Sequence, residues 1–280
     1  MPVRRVTLAV DATLRDQQVL RAATRIAAQL KAEITAMFVT NAELQRFAHL
    51  PTATEVLVRS ARTRLTEPID LALDLERLLG TIERELRDFA READVAWRIV
   101  STTLEQLPDI PSTDLLLVDR RAGATPVSRA ELGSVAAKLV ADCREPILVF
   151  DRELALHKPI GVLLGEDGDG ALDMALSLAQ ASGRLLVLID AHDRESFERT
   201  SKRIANKVAQ QPVVLEIDWI RAPHGQVLAS SLHRRGAGVL VVDAADPLLQ
   251  REHLASLLEA LRIPVLLARQ VPSPPKRHDQ

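Results

Sequence analysis

The chain has 280 residues, 47% of them hydrophobic, and a formal net charge of −2 at pH 7. This length favours two domains, and the balanced charge offers no electrostatic field for holding nucleic acid or an anionic membrane. The one cysteine, Cys143, excludes an intrachain disulfide framework, and neither it nor the seven histidines show the spacing of a metal site. We therefore expect a two-domain protein without a metal site that binds no nucleic acid.

The two ends of the chain carry simple signals. The start, MPVRRVTLAVDAT, has an apolar run too short for the core of a signal peptide. No stretch approaches the roughly 18 apolar residues that span a bilayer. We therefore predict a cytoplasmic protein with no membrane insertion. The polar, proline-rich residues 271–280 predict a disordered tail.

The first half of the chain predicts alternating strands and helices. An apolar run at residues 6–11 suits a strand buried on both faces, and an Ala-rich amphipathic helix follows it. A second strand at 34–39 completes a βαβ unit, whose parallel pairing uses the helix as its crossover. Further elements are predicted in this order: a helix at 69–93, a strand at 95–100, a strand at 115–119, a helix, and a strand at 146–150.

The second half repeats this order of elements. Its apolar strands are predicted at 160–165, 185–189, 240–243 and 264–268. Similarity at this long period predicts two tandem doubly wound α/β domains with Rossmann-like parallel sheets.

The predicted domain boundary lies near residue 155, because the segment before it is short and polar. We place the first domain at residues 1–154 and the second at 155–270. Residues 41–68 have no counterpart in the second half and are predicted to be an insertion. This insertion is either a lid or interface, or a partly helical surface loop.

Four segments of the first half resemble the universal stress protein family. They are VTLAVDAT, VLRAATRIAAQLKAEITAMFV, TDLLLVDRRAG and ELGSVAAKLVADCREPILVF. The resemblance covers most of residues 3–150 and is weaker over 158–270. It implies that family's fold, which is similar to that of the adenine nucleotide alpha hydrolases. The family includes both members that bind ATP and members that bind no nucleotide, so the resemblance leaves nucleotide binding open.

The ATP-binding members of that family carry a loop of the form G-x2-G-x9-G-[S/T] after the fourth strand. In this chain Arg120 stands at the first glycine position, Gly123 at the second, and Gly133 with Ser134 at the third. Glycines let backbone N–H groups approach a phosphate, and a hydroxyl at a helix N-terminus adds a donor. The arginine either closes the site or, with Arg121 and Arg129, pairs with phosphate oxygens.

The resemblance adds two residues to this candidate ATP and magnesium site. It implies that Asp11 lies beside the nucleotide and that the backbone of Val39 meets the adenine. In the second domain Gly165 stands at the position of Asp11, and Ala255 replaces the last glycine of the loop. The second domain is therefore predicted to have lost the site.

We accordingly expect a regulatory or binding protein of the universal stress type, with no catalytic residues. The alternative is an ATP-binding or slowly ATP-hydrolysing stress switch that uses the first domain. The final strands at 146–150 and 264–268 are expected to pair within the chain, which would hide both strand edges. Homodimerisation and a protein partner stay open.

Overall fold

The structure is a computed structural model. It describes residues 3–11, 17–40, 54–57, 62–65, 68–103, 105–106, 113–122, 132–151, 155–165, 169–251 and 254–269. The chain divides into two compact units. We call Arg5–Thr113 with Leu117–Cys143 the N-terminal unit, and Arg144–Gln280 with Met1–Arg4 and Asp114–Leu116 the C-terminal unit. The predicted boundary near residue 155 and the predicted tail stay predictions, because the described residues do not test them.

The first nine elements that the structure describes lie between residues 5 and 142. In chain order they are β1 (Arg5–Asp11), α1 (Gln17–Leu30), β2 (Glu33–Thr40), β3 (Thr54–Leu57), β4 (Arg62–Leu65), α2 (Pro68–Ala93), β5 (Trp97–Thr103), β6 (Leu115–Asp119) and α3 (Ser134–Asp142). The sheet of the N-terminal unit has the strand order β6-β1-β2-β5, to which β6 contributes residues 117–119.

The strands of this sheet run in the same direction. β1 pairs with β2 and β2 pairs with β5, both in parallel. Thr113, which precedes β6, donates its hydroxyl to the carbonyl of Arg5 at 3.2 Å, so β6 begins beside the start of β1. The carboxyl ends of β6, β1 and β2 therefore share one edge, where ligands bind in open α/β sheets.

Burial explains why these segments are apolar. All of β6 and all but the first residue of β1 are buried, as expected of strands covered on both faces. Helix α1 buries the face predicted from its spacing, which includes Leu20, Ala23 and Ala27. Within the predicted insertion, the described residues form an antiparallel pair of strands, β3 and β4. Whether the insertion is a lid, an interface or a partly helical surface loop stays a prediction.

The remaining elements belong to the C-terminal unit. They are β7 (Ile147–Phe150), β8 (Ile160–Leu164), α4 (Asp169–Ser182), β9 (Arg184–Asp190), α5 (Arg194–Val208), β10 (Val214–Ile220), α6 (Gly225–Arg234), β11 (Val239–Asp243), α7 (Pro247–Arg251), α8 (Leu254–Leu261) and β12 (Val265–Ala268). Their strand order is β10-β9-β8-β11-β12-β7.

The sheet of the C-terminal unit is mixed. The pairs β8 with β9, β9 with β10, β8 with β11 and β11 with β12 are parallel. By contrast, β7 pairs with β12 in antiparallel orientation, with Val149 opposite Val265. Both of these strands are fully buried. The mostly parallel sheets with their connecting helices confirm the predicted α/β fold class.

Two further observations concern the described residues as a whole. None of their helices is both long and apolar enough to cross a membrane. No group of three or more His, Cys, Asp and Glu side chains among them could hold a metal ion.

Candidate functional site

The predicted site residues that the structure describes lie at the carboxyl edge of the N-terminal sheet. Asp11 is the last residue of β1 and stands opposite Val39, near the end of β2. Both side chains are buried, with exposures of 3% and 2%. The structure therefore brings together the two residues that the family resemblance placed beside the nucleotide.

The loop after β6 is closed by a backbone hydrogen bond. The N–H of Gly133 donates to the carbonyl of Arg120 at 2.9 Å. Gly133 is the N-cap of α3, with φ −60° and ψ 155°, and the helix begins at Ser134 as its sequence predicted. Gly123 lies outside the described residues. Two of the three positions of the predicted glycine loop are thus in direct contact through their main chains.

A buried carboxylate organises the first turn of this loop. Asp119 at the end of β6 is fully buried, and its Oδ1 accepts the N–H of Arg121 at 2.8 Å. The guanidinium of Arg121 also lies 3.3 Å from Oδ2 of the same carboxylate. An opposite charge compensates the cost of burying the aspartate. Arg121 is therefore engaged by Asp119, and Arg129 lies outside the described residues.

One backbone N–H at the N-terminus of α3 already donates to a carbonyl of the same loop. The N–H of Ala136, in the first turn, donates to the carbonyl of Ala122 at 3.3 Å. The side chain of Ser134 is exposed to solvent. A hydroxyl at this position is the kind of donor that an anion meets at a helix N-terminus. Among the described residues, an exposed hydroxyl thus lies at this helix N-terminus, while the N–H of Ala136 is already donated within the loop.

Comparison with known proteins agrees with this architecture. Neither a protein-family model nor a curated protein matches the chain. A solved universal stress protein from Archaeoglobus fulgidus superposes with a TM-score of 0.66 at 14% identity, covering 94% of this chain and 96% of that one. The chain has the fold of the universal stress proteins. The resemblance predicted from sequence is therefore confirmed for the fold.

Two proteins from Pseudomonas aeruginosa share the universal stress protein fold. One, solved as a candidate universal stress protein, has a TM-score of 0.53 at 12% identity, over 95% of this chain and 93% of that one. The other is a functionally unknown protein with a TM-score of 0.54 at 13% identity, over 95% and 92% of the two chains. Identities this low establish a shared fold and no shared activity.

The C-terminal unit contains a turn like the one at Asp119. Asp243 ends β11, and its Oδ1 accepts the N–H of Ala245 at 2.9 Å. The residue two positions after the aspartate is here Ala245, where the other turn has Arg121. The carboxylate of Asp243 therefore meets no guanidinium from that position. The predicted loss of the nucleotide site from this part of the universal stress protein fold rests on its sequence and stays a prediction.

Sequence reasoning missed the role of Asp119. It treated this residue as the end of a strand, although the sequence LLLVDRR already held a signal. An aspartate that closes a fully apolar run is expected to be buried, and a buried carboxylate needs a nearby donor or cation. Arg121, two residues later, can reach this carboxylate both with its backbone N–H as a donor and with its guanidinium as a cation. Within the universal stress protein fold, this pair shapes the start of the loop that the family resemblance had assigned to phosphate.

Proposed function

We propose that this chain is a cytoplasmic regulatory or binding protein of the universal stress type, built from two tandem related domains, and that it is not an enzyme. In this proposal the first domain holds no ATP in the conformation described above, and the second has lost the site. The observation that carries the proposal is the hydrogen bond from the Gly133 N–H to the Arg120 carbonyl.

That hydrogen bond uses a donor that a phosphate would need. A glycine in a phosphate loop serves by presenting its N–H to phosphate oxygens. The N–H of Gly133 is already donated within the loop, as is that of Ala136. Arg121 is paired with a buried carboxylate, so its charge is partly compensated. Phosphate binding would therefore have to break existing hydrogen bonds, which lowers its affinity.

The turns at the ends of β6 and β11 support a relation between the two domains. In each turn the carboxylate accepts the N–H of the residue two positions later, at 2.8 Å for Asp119 and 2.9 Å for Asp243. In each turn the aspartate carbonyl also accepts the N–H of the residue three positions later, at 2.9 Å. The same hydrogen bonds at corresponding strand ends are what a tandem duplication would leave behind.

The alternative function is an ATP-binding or slowly ATP-hydrolysing switch. It is favoured by the exposed hydroxyl of Ser134 at a helix N-terminus and by the position of Asp11 beside Val39. In this alternative ATP binding would have to open the Gly133 to Arg120 contact, and the loop would report whether nucleotide is present.

Calorimetric titration with ATP and magnesium distinguishes the two functions. For the purified chain stripped of nucleotide, we expect no saturable heat up to millimolar ATP, because the N–H groups of Gly133 and Ala136 are already donated within the loop. The same titration is run on Ser134→Ala and Gly133→Ala. Ser256→Ala is the matched control, since Ser256 is an exposed serine near the start of α8, where the second domain has no glycine loop.

The opposite result would establish the switch. Saturable binding that Ser134→Ala weakens by about tenfold, the loss expected for one hydrogen bond to a charged group, would identify a working site in the first domain. Ser256→Ala should leave such binding unchanged. If release of phosphate from ATP also fell with Ser134→Ala, the chain would be an enzyme and our proposal would be wrong.

A further inference from the structure

A groove of about 410 Å³ lies beside β10 and α6 in the C-terminal unit. The strand side is formed by consecutive residues from Asp218 to Arg221. The helix side is one face of α6, with residues three or four positions apart that include Gln226, Ser230 and Arg234. All of these residues belong to the C-terminal unit, so the groove is separate from the candidate nucleotide site.

The strand that borders this groove is an edge strand. β10 pairs with β9 on one side, and within the described part of the chain no strand pairs with its other side. Its first residue, Val214, is a large apolar residue with 70% exposure. An exposed edge offers backbone N–H and C=O groups with which another strand can pair.

The acidic side chains of β10 are partly neutralised from the helix side. The guanidinium of Arg235 forms a close ion pair with Glu216 and lies 3.0 Å from the carboxylate of Asp218. The hydroxyl of Ser231 also donates to Asp218 at 3.3 Å. Arg235 cancels one of these two negative charges, so any further cations of the groove decide the sign of its charge.

Two exposed arginines then make the groove positive. Arg221 follows β10 and Arg234 ends α6, and neither forms an ion pair with a carboxylate of the described residues. Arg234 instead donates to the carbonyl of Ser230 at 3.3 Å. The chain as a whole has a net charge of −2, so the charge of this surface is opposite in sign to the net charge of the chain. Charge complementarity therefore favours an acidic ligand.

The length of the groove favours an extended peptide over a small anion. From Asp218 to Arg221 the strand side measures about 10 Å, at a rise of roughly 3.3 Å per residue. From Gln226 to Arg234 the helix side measures about 12 Å, at a rise of about 1.5 Å per residue. These lengths match three or four residues of an extended segment, whereas a single phosphate would fill only one end.

The end of β10 is held rigidly. The ring of Trp219 stacks on Phe197 with a centroid distance of 5.3 Å, and its Nε1–H donates to the carbonyl of Ala191 at 2.8 Å. The guanidinium of Arg221 in turn lies 4.3 Å from the centroid of the Trp219 ring. A cation held over an aromatic ring is already ordered, so less entropy is lost when it meets a carboxylate.

We propose that this groove binds an acidic segment of a partner protein in extended conformation. The segment adds as a strand to the free edge of β10, and its carboxylates pair with Arg221 and Arg234. This inference names a partner class that goes beyond the proposed function, and it does not depend on whether the first domain binds ATP.

Tryptophan fluorescence tests this binding directly. The chain has two tryptophans, Trp97 in β5 and Trp219 in the groove. In a Trp97→Phe background all tryptophan emission comes from Trp219, over which Arg221 lies. We expect a saturable change in this emission on titration with a capped peptide of three Val-Glu repeats. The corresponding Val-Lys peptide should cause no change.

Variants locate the peptide on the groove. Arg221→Gln and Arg234→Gln should each weaken binding of the Val-Glu peptide by about twofold to fivefold, the range for an exposed ion pair. Both side chains are exposed, so the fold should tolerate the changes. Arg184→Gln is the matched control, because Arg184 is an exposed arginine at the amino end of β9, away from the groove.

Two outcomes would overturn the inference. Equal binding by a Val-Glu peptide whose alternate backbone amides are N-methylated would exclude strand addition, since those amides could no longer donate to β10. Failure of the Val-Glu peptide to change the Trp219 emission, while inorganic phosphate does change it, would show a small-anion site instead. Neither outcome bears on the ATP titration, so the two proposals fail independently.

Discussion

Replacing Asp119 with alanine is expected to lower the free energy of unfolding by about 3 kcal/mol, the cost of removing a buried carboxylate that accepts both a backbone N–H and a half-buried guanidinium. The carboxylate is fully buried, and it accepts both the N–H and the guanidinium of Arg121. Its loss leaves these donors without their acceptor at the end of β6. Urea unfolding, followed by circular dichroism, measures the change.

The matched control for this prediction is Asp243→Ala. Asp243 accepts the N–H of the residue two positions later in the same way, but that residue is Ala245 in place of an arginine, and Asp243 is only half-buried. Its loss should cost only about 1 kcal/mol, as for one neutral hydrogen bond in a turn. Equal losses for the two variants would show that the Arg121 ion pair adds nothing to stability. Asp119→Asn, which keeps an acceptor but loses the charge, should fall between them.

Gly238→Ala is expected to destabilise the C-terminal unit by about 3 kcal/mol, at the upper end of the cost of overpacking. Gly238 precedes β11, and its N–H donates to the carbonyl of Pro159 at 2.9 Å. A Cβ atom at this position would collide with the backbone carbonyl oxygen of Ala155 and would lie 2.9 Å from the Cβ of Lys158. Backbone atoms cannot turn away as a flexible side chain can, so the two segments would have to separate.

Gly80→Ala provides the opposite control. Gly80 lies inside helix α2, and a Cβ there would meet no atom within 4 Å. Alanine is the better helix former, so this substitution should stabilise the chain by about 0.5–1 kcal/mol. Thermal unfolding of both variants tests the pair of predictions. A midpoint for Gly238→Ala equal to that of the unsubstituted chain would show that the 155–159 segment moves freely, contrary to our argument.

The sequence predicted most of the fold because parallel strands covered on both faces are continuous apolar runs. The runs ending at Asp11, Asp119 and Asp243 all proved to be strands, and the helical spacing in α1 identified its buried face. The family resemblance placed Asp11 and Val39 beside one ligand, and the parallel pairing of β1 with β2 puts them opposite each other. The strands and the buried helix face depend on local pattern alone.

The remaining features depend on contacts that no local pattern encodes. The hydrogen bond between Gly133 and Arg120 joins main-chain atoms, so side-chain identity carries little information about it. Arg221 and Arg234 look in sequence like ordinary solvated charges. They border one groove only because α6 runs back along β10, and the alignment of a helix with a strand follows from packing across the whole unit.

The antiparallel pair of β7 and β12 has a consequence for biosynthesis. Val149 leaves the ribosome more than a hundred residues before Val265, the residue with which it pairs. At a translation rate of about 5–20 residues per second, on the order of ten seconds pass between the synthesis of β7 and the synthesis of β12. During that interval the nascent chain exposes a strand edge, so chaperone binding should be strongest between the synthesis of these two segments.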